Sequence, residues 1–184
     1  VWGEGNAGRI VAACTLHVLG GPVDHLRAIV PAQAEPGGSV SLLVRPEDAY
    51  GNLAGVRPGA LAVFLGGRPV PARMERAEGS PCVRMRVPVA EAGTYRWRVA
   101  ERGTGREALT NPLRCGGGTK RYWGMIHGHT EMSDGTGTLE QYFDQLQHEV
   151  ALDFAASADH DHRWETSDAF WLRTCEVVRR RNQP

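Results

Sequence analysis

The sequence predicts a multidomain β plus α/β chain, with an all-β sandwich over residues 25–115 followed by β-α-β-α units over 116–184. Three observations carry that reading. Between residues 25 and 115, short segments of alternating apolar and polar residues are punctuated by Gly- and Pro-containing turns. A glycine-rich joint, "CGGGTK" at 115–120, then marks a boundary between units. Beyond it the hydrophobic period lengthens to that of helices, with short apolar runs between them.

Residues 1–24 form a separate segment, in which "RIVAACTLHVLG" suits a strand or a short buried helix equally. The strands expected next are "HLRAIV", "SVSLLVR", "ALAVFLGG", "CVRMRVPV", "TYRWRVA" and "EALTNPL". In "VRMRV" and "YRWRV" apolar and basic residues alternate strictly, so one face packs and the other meets water. "EPGG", "DAYGN", "RPG", "LGGRP" and "EAG" supply the turns. "EAGTYRW" resembles the tyrosine corner of immunoglobulin-like sandwiches, with Tyr95 two residues before Trp97, where antibody domains place a cysteine.

After the joint, "RYWGMI" reads as a strand running into two histidines. "TLEQYFDQLQHEVAL" reads as an amphipathic helix with Leu139, Tyr142, Phe143, Leu146 and Val150 on one face and a Thr138/Gln141 capping box. "LDFAAS" is short enough for a buried parallel strand. "SDAFWLRTCEVVRRR" reads as a second helix capped by Ser167, with Phe170, Thr174, Val177 and Val178 on one side. This order is the opening of an α/β barrel or an open sheet.

Composition narrows the partners. Lys+Arg and Asp+Glu balance at 21 each, which argues against nucleic acid or an anionic membrane. Residues 116–184 carry seven basic and eleven acidic side chains, a balance that suits a cation. Cys14, Cys82, Cys115 and Cys175 lack C-x-x-C spacing, so neither a thiolate zinc site nor a redox pair is indicated, and a disulfide is left open. No apolar run approaches the ~20 residues of a membrane span. The chain opens on Val1 and is expected to begin inside a longer precursor; its compartment is left open.

Two polar clusters fall just past predicted strands. His127 and His129 follow "YWGMI", and Asp159, His160, Asp161 and His162 follow "LDFAASA". In parallel α/β folds loops at that edge converge on one pocket. In an extended segment residues i and i+2 point the same way, so both imidazoles of H-x-H can face one cation. Asp134 adds an oxygen ligand and His160 a nitrogen. Each piece also has a plain structural reading: H-x-H as a satisfied polar loop, Asp134-Gly135 as a turn, "DHDH" as an exposed charged loop. His17, His25 and His148 are read as structural or solvent-facing, and Tyr122, Trp123, Trp164 and Trp171 as core or pocket wall. Arg179, Arg180 and Arg181 complement a helix dipole. The conjunction of two clusters, one strand-helix unit apart, favours a metal.

The stretch "YWGMIHGHTEMSDGTGTLEQYFDQLQHEVALDFAASADHDH" resembles the opening of the PHP (polymerase and histidinol phosphatase) metallohydrolases, with their H-x-H-T, S-D-G and D-H motifs. It is most similar to the branch in which an immunoglobulin-like domain precedes the PHP domain. The resemblance implies a distorted (β/α)7 barrel carrying up to three divalent metal ions, zinc, manganese or iron. It further implies that His127 and His129 hold the first metal, that Asp134 and His160 ligate another, and that Asp159 orients these ligands in a catalytic role. The implied reaction is attack of a metal-bridging hydroxide on a phosphoester, carboxylic ester or carbamate. Met125 and Ala158 stand where relatives commonly carry aspartates, and the later ligands of such a site do not follow before Pro184.

The expectation is therefore the N-terminal piece of a metal-dependent hydrolase, inactive alone, acting on a small-molecule substrate. Its expected partner is the missing C-terminal part of the barrel or a second chain. The alternative is a non-catalytic binding or interaction module in which the sandwich holds a glycan or protein and the barrel remnant is inert. An amidohydrolase also begins with H-x-H on its first strand, but that reading leaves Asp134 and the D-H pair unexplained.

Overall fold

The structure, a computed structural model, describes residues 4–5, 9–10, 16–75, 80–161 and 167–182. Cys14, His162, Trp164 and, of the 1–24 segment, residues 1–3, 6–8 and 11–15 lie outside the described residues. In chain order the strands are β1 (Glu4–Gly5), β2 (Arg9–Ile10), β3 (His25–Ile29), β4 (Gln33–Ala34), β5 (Gly38–Glu47), β6 (Leu61–Leu65), β7 (Arg68–Val70) and β8 (Arg73–Glu75). They continue with β9 (Val83–Val89), β10 (Gly93–Tyr95), β11 (Trp97–Glu101), β12 (Glu107–Leu109), β13 (Leu113–Cys115), β14 (Gly124–Met125) and β15 (Phe154–Ala155). The helices are α1 (Leu139–Gln145) and α2 (Asp168–Arg181).

Residues 25–115 form an immunoglobulin-like, β-rich body. One four-stranded sheet runs β3-β5-β9-β8, a second runs β12-β11-β6-β7, and a three-stranded sheet runs β10-β13-β4. Most pairings are antiparallel, with β13 and β4 parallel. Alternation sets the register: along β9, Val83, Met85, Val87 and Val89 are buried while Arg86 and Pro88 between them are exposed. Val40, Leu42 and Val44 of β5 face them and meet Trp97 and Val99 of β11 and Leu113 of β13 in one core. "EALTNPL" divides into β12 and β13 around Pro112, which has no N–H to give a ladder. The tyrosine corner forms: Tyr95 Oη donates to Glu91 O (2.9 Å) and accepts from Glu91 N (3.1 Å).

The expected fold class, a sandwich followed by the first β-α-β-α units of a distorted (β/α)7 barrel, is corrected by the structure. The described chain is mostly β-sheet with two short helices, and no barrel units are formed among the described residues. After the joint the two strands shrink to two residues each, paired in parallel as Gly124↔Phe154 and Met125↔Ala155. Phe154, expected in a buried strand, is 48% exposed, and Tyr122, Trp123, Met125 and Ile126 are exposed too. Apolar runs of this length lack the flanking layers that would bury a parallel sheet, which is what a barrel strand requires.

The first predicted helix is shortened as well. α1 keeps the expected capping box, Thr138 Oγ1 accepting from Gln141 N and Gln141 Oε1 from Thr138 N. At Leu146 it loosens into a π-turn that ends on Ala151, at φ 58°. α2 spans the predicted residues, capped by Ser167 and closed by three arginines, but Trp171 and Leu172 stay exposed and Val177 alone is fully buried. Ion pairs from Arg173 and Arg180 to Glu140, and from Arg181 to Asp144, tie α2 to α1. The segment rests on the sandwich through Ser80 Oγ to Glu149 (3.3 Å) and Arg84 to the Gln147 carbonyl (3.2 Å).

Candidate metal centre

The site begins with backbone. Beyond β14 and β15 the two chains stay laced together: Ala156 N donates to Met125 O (2.8 Å) and Ala158 N to Gly128 O (2.9 Å). These bonds bring the segment after Met125 alongside the segment before Asp159. The loop that follows folds on Thr130, whose carbonyl accepts from Ser133 N (3.0 Å) and Gly135 N (2.9 Å), while Glu131 N donates to Gly137 O (2.8 Å). Gly135 is required there, because a Cβ at that position would lie 2.4 Å from His129 O.

Asp159 locks the arrangement. Its carboxylate accepts from Thr130 N (2.6 Å), Thr130 Oγ1 (3.0 Å) and Ser133 Oγ (2.8 Å). Thr130 is fully buried, so these bonds satisfy polar groups that water does not reach. Asp159 is thus spent on holding the loop.

The loop presents Asp134 to two imidazoles. His129 Nδ1 lies 2.5 Å from Asp134 Oδ1, and His160 Nε2 lies 3.4 Å from Asp134 Oδ2. The His129 and His160 rings meet edge to face, with centroids 4.5 Å apart. One ligand atom from each of His129, Asp134 and His160 lies within 4.8 Å of the others. The hydrogen bond from His129 holds the Asp134 carboxyl below the usual carboxylate range, with both imidazoles favouring the charged form. An ionised carboxylate and two imidazole nitrogens form a donor set suited to a borderline-soft divalent ion.

Three of the expected ligands therefore converge and one does not. His127 is exposed and lies beside His129, the rings tilted at 43° with centroids 5.1 Å apart, outside the three-residue group. Among the described residues His129, Asp134 and His160 make one such group. Thr130 and Ser133, which position the loop, escaped the sequence reading; the S-D-G and H-T motifs contain them, but no periodicity marks a hydroxyl as an anchor.

No family model matches the chain. It is 22% identical over 170 residues to an uncharacterised protein of Chlamydia trachomatis, covering 89% of this chain and 27% of that protein. A second uncharacterised protein, of Chlamydia muridarum, is 22% identical over 153 residues, covering 80% of this chain and 25% of that one. The chain spans about a quarter of the length of these curated relatives. Among solved structures it is similar to the Lin-41 filamin domain (TM-score 0.36, 16% identity, covering 46% of this chain and 83% of that one). It is also similar to the tandem Ig repeats of Dlar (TM-score 0.34, 12% identity, 58% and 57% coverage). Domains 4 and 5 of the surface-layer protein SbsC give a TM-score of 0.31 at 14% identity, with 50% and 51% coverage.

The hydrolase expectation, with its phosphoesterase chemistry and PHP domain, is corrected with the fold that was to carry it. The described residues form an immunoglobulin-like, β-rich body without barrel units.

Proposed function

We propose that this chain is a non-catalytic binding or interaction module whose C-terminal segment holds one divalent cation, through a ligand set of the kind the PHP resemblance implies. The observation that carries the cation is the convergence of His129, Asp134 and His160 within 4.8 Å. Their mixed nitrogen and oxygen donors suit zinc, manganese or iron. Held there, the ion would cross-link the loop after β14 to the segment after β15, supporting the bonds that Asp159 makes between the same two segments.

The test is metal per chain by plasma mass spectrometry after dialysis of the full chain against zinc, then against metal-free buffer. Close to one ion is expected, lost in His129→Ala, Asp134→Ala and His160→Ala and kept in His127→Ala. No retained ion would overturn the cation site. Turnover of aryl phosphates or aryl esters that disappears in the same variants would overturn the non-catalytic reading.

A further inference from the structure

Away from the cation ligands, a groove runs along the seam between the sandwich and the C-terminal segment. Its main cavity, about 680 Å³, is walled by residues 27–33 and by Pro112 and Arg114 on one side, and by Arg121, Trp123 and residues 150–153 on the other. A smaller space of about 250 Å³ shares Gln33, Arg121 and Asp153 with it and adds Lys120 and Tyr122. The larger volume falls in the range of small-molecule sites.

Three features of the wall point to a ligand class. First, cations gather there: Arg114, Lys120 and Arg121 are exposed, and none of them is in an ion pair among the described residues. Arg27, by contrast, is committed through Nε to Glu47 (2.8 Å). Second, the cations are placed. The Arg114 guanidinium packs over Gly118, where a Cβ would lie 2.8 Å from it, and Arg121 N donates to Gln33 Oε1 (3.1 Å). Third, Trp123 lines the cavity with 65% of its surface open, its backbone fixed by Asp153, which accepts from Trp123 N (2.8 Å) and donates to Trp123 O (2.7 Å).

Guanidinium forks match flat oxyanions, and an open indole offers a face to a ring. Asp153 and Glu35 on the same walls temper the positive charge, so a monoanion suits the groove better than a phosphate bearing nearly two charges. We infer that the groove binds a small ring-bearing carboxylate, with the acid between Arg114 and Arg121 and the ring against Trp123. A uronic sugar and an aromatic acid share that chemistry. The inference deepens the binding-module reading and rests on it.

The full chain is titrated by calorimetry and by amide NMR with galacturonate and 2-naphthoate, and with galactose and 2-naphthamide as their neutral counterparts. Every titration is run in chelator and repeated with Asp134→Ala, so that a carboxylate ligating a metal at His129, Asp134 and His160 does not imitate groove binding. At least one acid is expected to bind at least tenfold more tightly than its neutral counterpart, shifting the amides of Arg114, Gly118, Arg121 and Trp123. Arg114→Gln and Arg121→Gln are each expected to weaken it about tenfold, and Trp123→Ala to weaken it with the amide spectrum otherwise kept. Preference for galacturonate identifies a sugar acid, and preference for 2-naphthoate an aromatic acid. Equal binding of acid and neutral counterpart, no binding of either acid, or shifts confined to residues 127–134 and 156–160 would overturn the groove, while the cation titration stands or falls separately.

Discussion

Asp159 and Thr130, 29 positions apart, are joined by hydrogen bonds from both the amide and the hydroxyl of Thr130 to one carboxylate. The pair spans the two segments that carry the candidate ligands, so it fixes where His129 and Asp134 stand relative to His160. Asp159→Ala leaves the buried Thr130 N–H without its acceptor, at a cost of about 1–3 kcal/mol. The expected result is faster hydrogen exchange at the Thr130 amide and weaker cation binding, with Asp159→Asn intermediate because its side-chain oxygen still accepts. Unchanged exchange at Thr130 in Asp159→Ala would remove this residue from the site's support.

Gly135 makes a sharper test of the loop. A methyl group at that position would sit 2.4 Å from the His129 carbonyl oxygen, which is backbone and has no rotamer in which to move aside. Gly135→Ala is expected to swing Asp134 away from the imidazoles and lower zinc affinity at least tenfold, about 1.4 kcal/mol or more. The melting of the sandwich should be unchanged, since the loop makes no part of its core. Calorimetric zinc titration and a thermal scan of the same sample check both halves.

Particular residues show which parts of this molecule were legible in sequence. β9 was legible because "VRMRVPV" alternates, and its burial follows that alternation. Tyr95 was legible because a corner tyrosine has a fixed offset from its turn. Thr138 and Gln141 were legible because a capping box is local. The sheet layers that would bury "LDFAAS" are not a local property, and Phe154 stands half exposed where the apolar run alone suggested an interior strand. At the site, residue type alone singled out four side chains, of which the fold brings His129, Asp134 and His160 into one group and leaves the His127 ring beside it, a grouping set by the segments after β14 and β15 rather than by spacing. His25 pairs with its sequence neighbour Asp24 (3.2 Å), but its second partner, Glu47 (2.9 Å), arrives across the β3–β5 ladder.

That Glu47 cluster predicts a pH dependence. Glu47 is nearly buried, and burial pushes its carboxyl up, but hydrogen bonds and charge from Arg27 and Arg45 outweigh this and hold it below the usual range. A carboxyl lowered in the folded state stabilises above its unfolded value, about 4.3 for glutamate, and loses that stabilisation as pH falls through the folded value. Urea midpoints are therefore expected to drop steadily below about pH 4. Glu47→Gln should be less stable at neutral pH and show a flatter acid limb. Parallel acid limbs in the two proteins would mean that other carboxyls set the acid sensitivity.

Tyr95→Phe separates the corner's hydrogen bonds from its packing. The phenol oxygen both donates to and accepts from the Glu91 backbone, whereas the ring stacks on Trp97 with centroids 5.3 Å apart. Phenylalanine keeps the ring, so the substitution is expected to cost only about 1 kcal/mol, a net value for exchanging protein bonds with water at a half-exposed site. Trp97→Ala instead empties a fully buried volume in the sandwich core and is expected to cost about 3–5 kcal/mol. Unfolding monitored on both variants should thus rank Trp97→Ala far below Tyr95→Phe. Because the corner pins the turn before β10, the Glu91 amide should exchange faster in Tyr95→Phe while the β5–β9 ladder amides keep their protection relative to global stability. If those ladder amides lost protection as strongly as Glu91, the corner would be acting on the whole sandwich rather than on its own turn.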